Sequence, residues 1–576
     1  MVSPNLIRKN ESETPLELNE NAKKLFQVIY SEKNKKETGE EEGLKIKVSS
    51  LVSALAFVYE KVRNAVDYEE EHLLRKNAMA RILRRQVVIE GVIKETHSVD
   101  SARQLLQELI RGSYLPNNKL PETKIGEIAA ILEKYLYLKN QLAAKINADL
   151  NLKADINRVR DLIKGKNQLI RWLFKLAACE IEENLAPNRV KQVIVNNMFA
   201  VLTANIKLPE DLPRERDLDI QIYLSIARTF LKFDPDMLSF VLFKYYNGEW
   251  LEFSRHLGLK EAERGKIKEL SSHLEELKGE IDRQLDHPLK KQLDKITRLY
   301  SLYFMILADT VETDPVKVYN DLQSGERAFA AVVKSVCRAR YRKAKVRLWR
   351  AAVRSIIYIF LTKSIFAVLI EIPAIQWFNQ NLNYLSLAIN VSFPALLLFF
   401  IVALTPTPQE DNTNKIIAGI KEITFVGSAR KQPLILRRPP RRNFIKTAIF
   451  QLIYAAAFCV SIYFIIRVLT FIHFNWVSII IFLFFLALVS FFSVIVTKGV
   501  KELMVLERHE NLLTFLIDLF YMPIIFVGRW LSNNVSKINV FIFVFDFIIE
   551  APFKIVIEVA EDWTKYVRER RERIES

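Results

Sequence analysis

Lys363 stands in the middle of an apolar run, Val353 to Pro373, and Glu371 falls near the end of the same run. A lysine at mid-bilayer costs about 2.5–3.5 kcal/mol on insertion scales, so it requires a counter-ion or water. Two kinds of chemistry follow. A water-filled cavity around the ammonium would mark a transport path. A buried ion pair would neutralise it, with Glu371, Asp518, Asp546 or Glu550 as candidate anions. Arg467 lies close to the end of another apolar run, where a long side chain can bring its guanidinium to headgroups. In the segment Val540–Lys565, Asp546, Glu550, Lys554, Glu558 and Asp562 recur every four residues. That spacing draws a charged stripe along one helix face and allows Glu550–Lys554 and Lys554–Glu558 pairing. The intramembrane polar candidates are thus Lys363, Glu371, Arg467, Asp518, Asp546, Glu550 and Lys554.

Other chemistry is poorly represented. The chain has no phosphate-binding loop ending in Gly-Lys-Ser/Thr, no glycine-rich dinucleotide turn after a strand, no His-Glu-x-x-His and no Gly-x-Ser-x-Gly elbow. The histidines (His72, His97, His256, His273, His287, His473 and His509) are scattered singly. Cys179, Cys337 and Cys459 are far apart and odd in number, which argues against a disulfide framework or a thiolate metal site. Acid pairs such as Asp217 and Asp219 sit in charged runs and read as a solvated face. The expectation is a protein without cofactor or metal that is not an enzyme.

The elements that must position these residues are helices. Only 15 of 576 residues are glycine, well below the average usage of roughly 7%, and apolar residues recur at helical spacing, as in Leu51, Leu55, Val58 and Val62. Asp234-Pro235 and Asp314-Pro315 place an N-cap acceptor before a proline at the first helical position. The mean hydropathy of +0.08 averages a charged first part with a very apolar last part. Residues 1–47 read as a disordered polar tail, 48–350 as a helical cytoplasmic domain, 351–505 as a four-helix transmembrane domain, and 506–576 as amphipathic or interfacial helices. Within the second region, Ile267, Leu270, Leu274, Leu277 and Ile281 have heptad spacing, resumed by Leu289, Leu293, Ile296 and Leu299 after Pro288. This is either an antiparallel hairpin packed on its own domain or a homo-oligomerising coiled coil.

Four spans are expected, at about 353–373, 382–404, 444–467 and 474–497, each near the roughly 20 residues needed to cross hydrocarbon. Net charge is +17, and much of the excess flanks these spans. Arg338, Arg340, Arg342, Lys343, Lys345, Arg347 and Arg350 precede the first. Lys415, Lys421, Arg430, Lys431, Arg437, Arg438, Arg441 and Arg442 lie between the second and third. The short connections 376–381 and 471–475 carry no lysine or arginine. By the positive-inside rule both basic segments are cytoplasmic, so an even number of crossings separates them and both termini face the cytoplasm. The cluster 338–350, with Tyr341 and Trp349 interleaved, suits anionic lipid headgroups better than nucleic acid, and Arg437, Arg438, Arg441 and Arg442 join it as headgroup candidates. The segments 512–531 and 540–565 read as interfacial or re-entrant helices, with two further spans as the alternative. Asn383-Tyr-Leu-Ser386 and Asn475-Trp-Val-Ser478, which open the second and fourth spans, resemble each other and hint at a duplicated hairpin.

Ile356-Ile-Tyr-Ile-Phe-Leu-Thr-Lys363 and Asn539-Val-Phe-Ile-Phe-Val-Phe-Asp-Phe-Ile-Ile-Glu-Ala-Pro-Phe-Lys554 resemble segments of an uncharacterised multi-span membrane protein family of small-genome bacteria. The resemblance implies a bacterial inner membrane, draws attention to Lys363 and Asp546, and carries no activity with it. The sequence therefore leads to an all-α fold: a membrane-anchored scaffold or adaptor that presents its cytoplasmic helices to a protein partner. The alternative is a transporter, channel or insertase-like protein with a polar cavity around Lys363.

Overall fold

A computed structural model of the chain describes residues 17–38, 44–48, 70–86, 97–150, 156–208, 215–254, 256–323, 325–426, 430, 432–437, 444–505 and 512–537, together with positions 57, 60, 559, 563, 566, 567 and 570. Among the described residues the fold is all-helical, with one two-residue parallel pairing, β1 (Ile206–Lys207) with β2 (Leu434–Ile435). It divides into two compact units. One comprises residues 30–301, 432–437 and 545–576; the other comprises 1–29, 302–431 and 438–544. The residues between 302 and the first span thus belong with the spans.

The expected tail contains a helix, α1 (Glu20–Thr38). Leu18, Ala22, Leu25, Phe26 and Ile29 are buried along one side of this segment, and Asn19 caps the first turn by accepting from Ala22 N–H. The reading of 1–47 as a disordered tail is corrected for these residues: their narrow apolar stripe is diluted by Lys and Glu on the other faces, so composition hid it.

The first unit holds α2 (Glu71–Arg84), α3 (Ser98–Arg111), α4 (Thr123–Leu150), α5 (Ile156–Leu185), α6 (Arg189–Asn205), α7 (Glu215–Thr229), α8 (Pro235–Tyr246) and α9 (Glu261–Leu285). Its core is one cluster built largely from α2–α5 and α8–α9, with Leu105, Leu132, Leu173, Phe243 and Trp250 fully or almost fully buried. Asp234 caps α8 as expected, accepting from Met237 N–H at 3.0 Å. The heptad residues Ile267, Leu270, Leu274 and Ile281 are buried against α4 and α8. The apolar seam of α9 is therefore occupied within its own unit, and its neighbours are α4 and α8 rather than the next helix. α10 (Lys290–Thr313), which passes from one unit to the other, instead bonds α7, through Ser225 to Thr297 at 2.9 Å and Arg228 to Asp294 at 2.6 Å.

In the second unit, α11 (Pro315–Gln323) leads into α12 (Glu326–Phe366), a helix of 41 residues. A π-helical turn over Ala367–Glu371 joins α12 to α13 (Ile372–Trp377). Then come α14 (Tyr384–Ala403), α15 (Glu410–Thr424), α16 (Phe444–Phe471), α17 (Trp476–Lys501) and α18 (Leu512–Lys537). Among the described residues four helices are long and apolar enough to cross a membrane, within Glu326–Trp377, Tyr384–Ala403, Ile445–Phe471 and Trp476–Lys501. α12, α14 and α17 pack on one another; α18 lies against α17, and α16 against α18.

Asn383 accepts from the N–H groups of Leu385 and Ser386, and Asn475 from that of Ser478. The likeness of the two strings is thus a shared N-cap, a local requirement that unrelated helices meet in the same way. Between α14 and α16 the sequence offered only a basic connection, yet α15 folds there and buries Ile416, Ile420 and Ile423. Gly419 lets it sit against the Tyr303 ring: a Cβ at this position would lie 2.2 Å from the ring.

Candidate intramembrane polar site

Lys363 and Glu371 meet because the helix between them is widened. In a regular α-helix, positions eight apart point about 80° away from each other, whereas positions seven apart differ by about 20°. The π turn inserts one residue, so Glu371 takes the direction an i+7 residue would have. The insertion has a local cause. Pro373 has no N–H to give the preceding turn and its ring crowds the carbonyl four residues back; just before it, Ile372 N–H donates to Ala367 O, five residues back.

Lys363 Nζ lies 3.4 Å from Glu371 Oε2, and both side chains are 0% exposed. Glu371 Oε1 accepts from Asn390 Nδ2 at 2.5 Å and from Ser478 Oγ at 2.8 Å. Asn390 Nδ2 also reaches Ser478 O at 3.3 Å, and donation to a carboxylate and a carbonyl fixes which end of this amide is nitrogen. The Lys363 ammonium sits over the Phe485 ring at 4.1 Å and near Phe366 at 5.4 Å. One carboxylate thus draws partners from the π-bulged helix, α14 and α17, while aromatic faces cover the cation. This arrangement pairs the two charges inside the helix bundle.

Among the described residues, Glu371 is the candidate anion that pairs with Lys363. Asp518 falls on α18 with its side chain outside the described residues; Asp546, Glu550 and Lys554 lie outside the described residues altogether. Arg467 is near the end of α16 and donates to Tyr463 Oη at 3.0 Å, away from the Lys363 cluster. Asn390 and Ser478, the other two members of the site, were missed by sequence reasoning. A lone Asn within an apolar span was their signal.

The basic candidates divide. Arg338, itself exposed, pairs with Glu410 at 2.6 Å beside Lys334, and the half-buried Arg340 pairs with Asp309. Arg342, Lys343, Lys345, Arg347 and Arg350 are exposed on α12 just before the span. Arg437 exchanges backbone hydrogen bonds with the Gln292 side chain, and Arg438, Arg441 and Arg442 lie outside the described residues. The interleaved aromatics are used within the chain: Tyr341 Oη accepts from Asn412 Nδ2 at 2.9 Å, and Trp349 packs edge-on to Phe399.

The helical unit has buried polar groups of its own. Lys134 bonds Glu180 and Trp250 O; Tyr135 Oη and Trp250 Nε1 donate to Glu180 Oε2 at 2.9 and 3.0 Å. Burial pulls the Lys134 ammonium below its ordinary range against the opposing pull of Glu180, and burial beside Glu180 pushes the Tyr135 phenol well above its own. Nearby, a cleft of about 550 Å³ opens between the starts of α2 and α6, the end of α5, and α8. Its walls carry His72, Arg75, Glu182, Lys191 and Lys244 over an apolar floor that includes Phe233 and Phe240. Arg75 holds Glu182 with two hydrogen bonds, at 2.6 and 2.7 Å, and burial, reinforced by Lys191, keeps His72 below the usual histidine range. Among the described residues no group of three or more His, Cys, Asp or Glu is placed to hold a metal ion.

The chain matches no family model, no curated protein and no solved structure.

Proposed function

We propose that this protein is a membrane-anchored helical scaffold, with its helical unit on the cytoplasmic face of a bacterial inner membrane and a protein partner docked there. The observation that carries the reading is the closed state of the Lys363–Glu371 pair. Both charges are fully buried, and Glu371 takes its further partners from within the bundle. A transport path would leave such a cation facing water. The described cleft with mixed charge and an apolar floor lies instead in the helical unit.

Orientation rests on charge and on one polar junction. Asn412 bonds Tyr341 Oη, Leu503 O and Val505 N–H at 2.9, 2.9 and 2.7 Å. That side chain ties together the approach to the first span, the connection after the second and the exit from the fourth, as two membrane hairpins require. At the opposite ends Asn475 Nδ2 reaches Asn381 O at 3.4 Å and the Phe378 and Trp476 rings meet. The basic residues before the first span then face the cytoplasm, and Arg342, Lys343, Lys345, Arg347 and Arg350 meet anionic headgroups.

Thiol accessibility tests the reading against transport. Lys363→Cys, in a protein freed of its native cysteines and shown to insert, should resist a small membrane-impermeant reagent from both sides while a loop cysteine reacts. Labelling from either side would mean that water reaches the pair, and the scaffold reading would give way to a conducting or inserting one.

A further inference from the structure

The helical unit carries an unpaired basic surface on α4 and α5. We infer that this pair of helices is a lipid-docking arm, whose cations settle on the phosphates of anionic headgroups and hold the unit against the bilayer. The core of the unit reaches along the pair only as far as Leu142 on α4 and Leu169 on α5. α4 continues to Leu150 and α5 starts at Ile156, so the two helices run past the core for about 12 and about 20 Å. Of the described residues on these extensions, none is buried.

From Lys139 to Arg171 the sequence carries eight Lys or Arg against three Asp, and no aromatic residue. Elsewhere in the unit cations have acids: Arg75 holds Glu182, Lys134 holds Glu180, Arg228 holds Asp294 and Lys244 holds Glu183. On the arm, no described residue forms an ion pair with Lys139, Arg160, Lys164, Lys166 or Arg171. Burial and repulsion by Lys166 from the neighbouring helix hold the half-buried Lys139 ammonium below the ordinary lysine range. An anion placed between the two helices relieves that repulsion. Two features favour lipid over nucleic acid. Ile163 stands 42% exposed among the cations, where a headgroup layer accepts an aliphatic side chain, and the arm offers no ring for bases to stack on. The chain also carries its own membrane-spanning helices, so even a modest contact with lipid acts at high effective concentration.

The inference rests on the proposed membrane anchoring of the helical unit, and the experiment separates the two. The full chain, freed of its native cysteines, carries bimane on Asn167→Cys, an exposed position of the arm. It is placed in nanodiscs of phosphatidylcholine, with or without phosphatidylglycerol, that bear a nitroxide quencher at the headgroup. Docking should quench the bimane in the anionic discs and little in the zwitterionic ones, and added salt should reverse it. Each of Arg160→Gln, Lys164→Gln and Lys166→Gln should weaken docking by about five-fold, and the three together by roughly 100-fold. Thermal unfolding checks that the triple variant is folded; if Lys166→Gln disturbs it, the exposed pair Arg160→Gln and Lys164→Gln carries the test. Equal quenching in both kinds of disc overturns the proposal, as does quenching that survives the substitutions. A bimane response to poly(U) RNA with none to phosphatidylglycerol also overturns it, and makes the arm a nucleic-acid surface. Both faces of a nanodisc are open, so the result does not depend on which face is cytoplasmic. If Lys363→Cys is labelled while anionic discs still quench, the scaffold reading falls and lipid docking stands; no quenching beside a protected Lys363→Cys gives the reverse.

Discussion

Lys363 and Glu371 are stable in hydrocarbon only together. Removing one partner of a buried pair leaves an uncompensated charge and typically destabilises by 3–5 kcal/mol, whereas replacing both with apolar groups is often close to neutral. Lys363→Met alone should therefore lower the thermal stability of the detergent-solubilised protein sharply, and Lys363→Met with Glu371→Leu should recover most of the loss. Additive losses in the double variant would refute the pairing. A second residue-scale expectation concerns alkaline pH. Burial raises the Cys179 thiol well above its ordinary 9. A group with a raised folded pKa contributes stability that is intact below the unfolded value and is lost as pH rises above it. Stability should thus fall from about pH 9 upward, and Cys179→Ala should flatten the fall between pH 9 and 10, where Tyr135 does not yet contribute. An unchanged slope would show that Cys179 titrates normally. The sequence exposed Lys363 and Glu371 because charges interrupt an apolar run. It did not expose Asn390 or Ser478, whose role depends on a carboxylate arriving from another helix.

At the scale of elements, the π turn and the glycine contacts decide fit. Gly419→Ala places a methyl inside the Tyr303 ring, so α15 must shift; overpacking of this kind costs about 1–3 kcal/mol. Gly265 in α9 has nothing within 4 Å of a Cβ, so Gly265→Ala should raise stability, by up to ~1 kcal/mol. Thermal unfolding of the two variants should move in opposite directions; loss in both would mean that Gly265 is packed against something. The four apolar spans and the caps at Asp234 and Asp314 were legible in sequence, since length, hydropathy and capping are local properties; the caps at Asn383 and Asn475 were read there as a duplicated hairpin. α1 and α15 were not, because their stripes of aliphatic residues are short and surrounded by charge.

For the whole molecule, the exposed cations before the first span bear on lipid selection. Each Lys or Arg near an anionic surface contributes about 1 kcal/mol at physiological ionic strength. Replacing Arg342, Lys343, Lys345, Arg347 and Arg350 with glutamine should reduce the anionic lipid that co-purifies with the protein, as read by mass spectrometry of the solubilised complex. Replacing Arg338, which already holds Glu410, should change it little. Equal effects from the two variants would place the lipid elsewhere.

Sequence by itself determined that this chain is helical, that four of its helices can cross a membrane, and that Lys363 needs a partner. These follow from residue type and spacing along one strand of chain, where hydropathy, helical period and charge are already fixed. Tertiary structure brought Glu371 to it, because one extra residue in a helical turn aims that carboxylate at the lysine. It also decided the fate of the heptad residues of α9, which spend their apolar face inside their own unit. In each case the deciding quantity is the distance between residues far apart in sequence, and no local pattern records it.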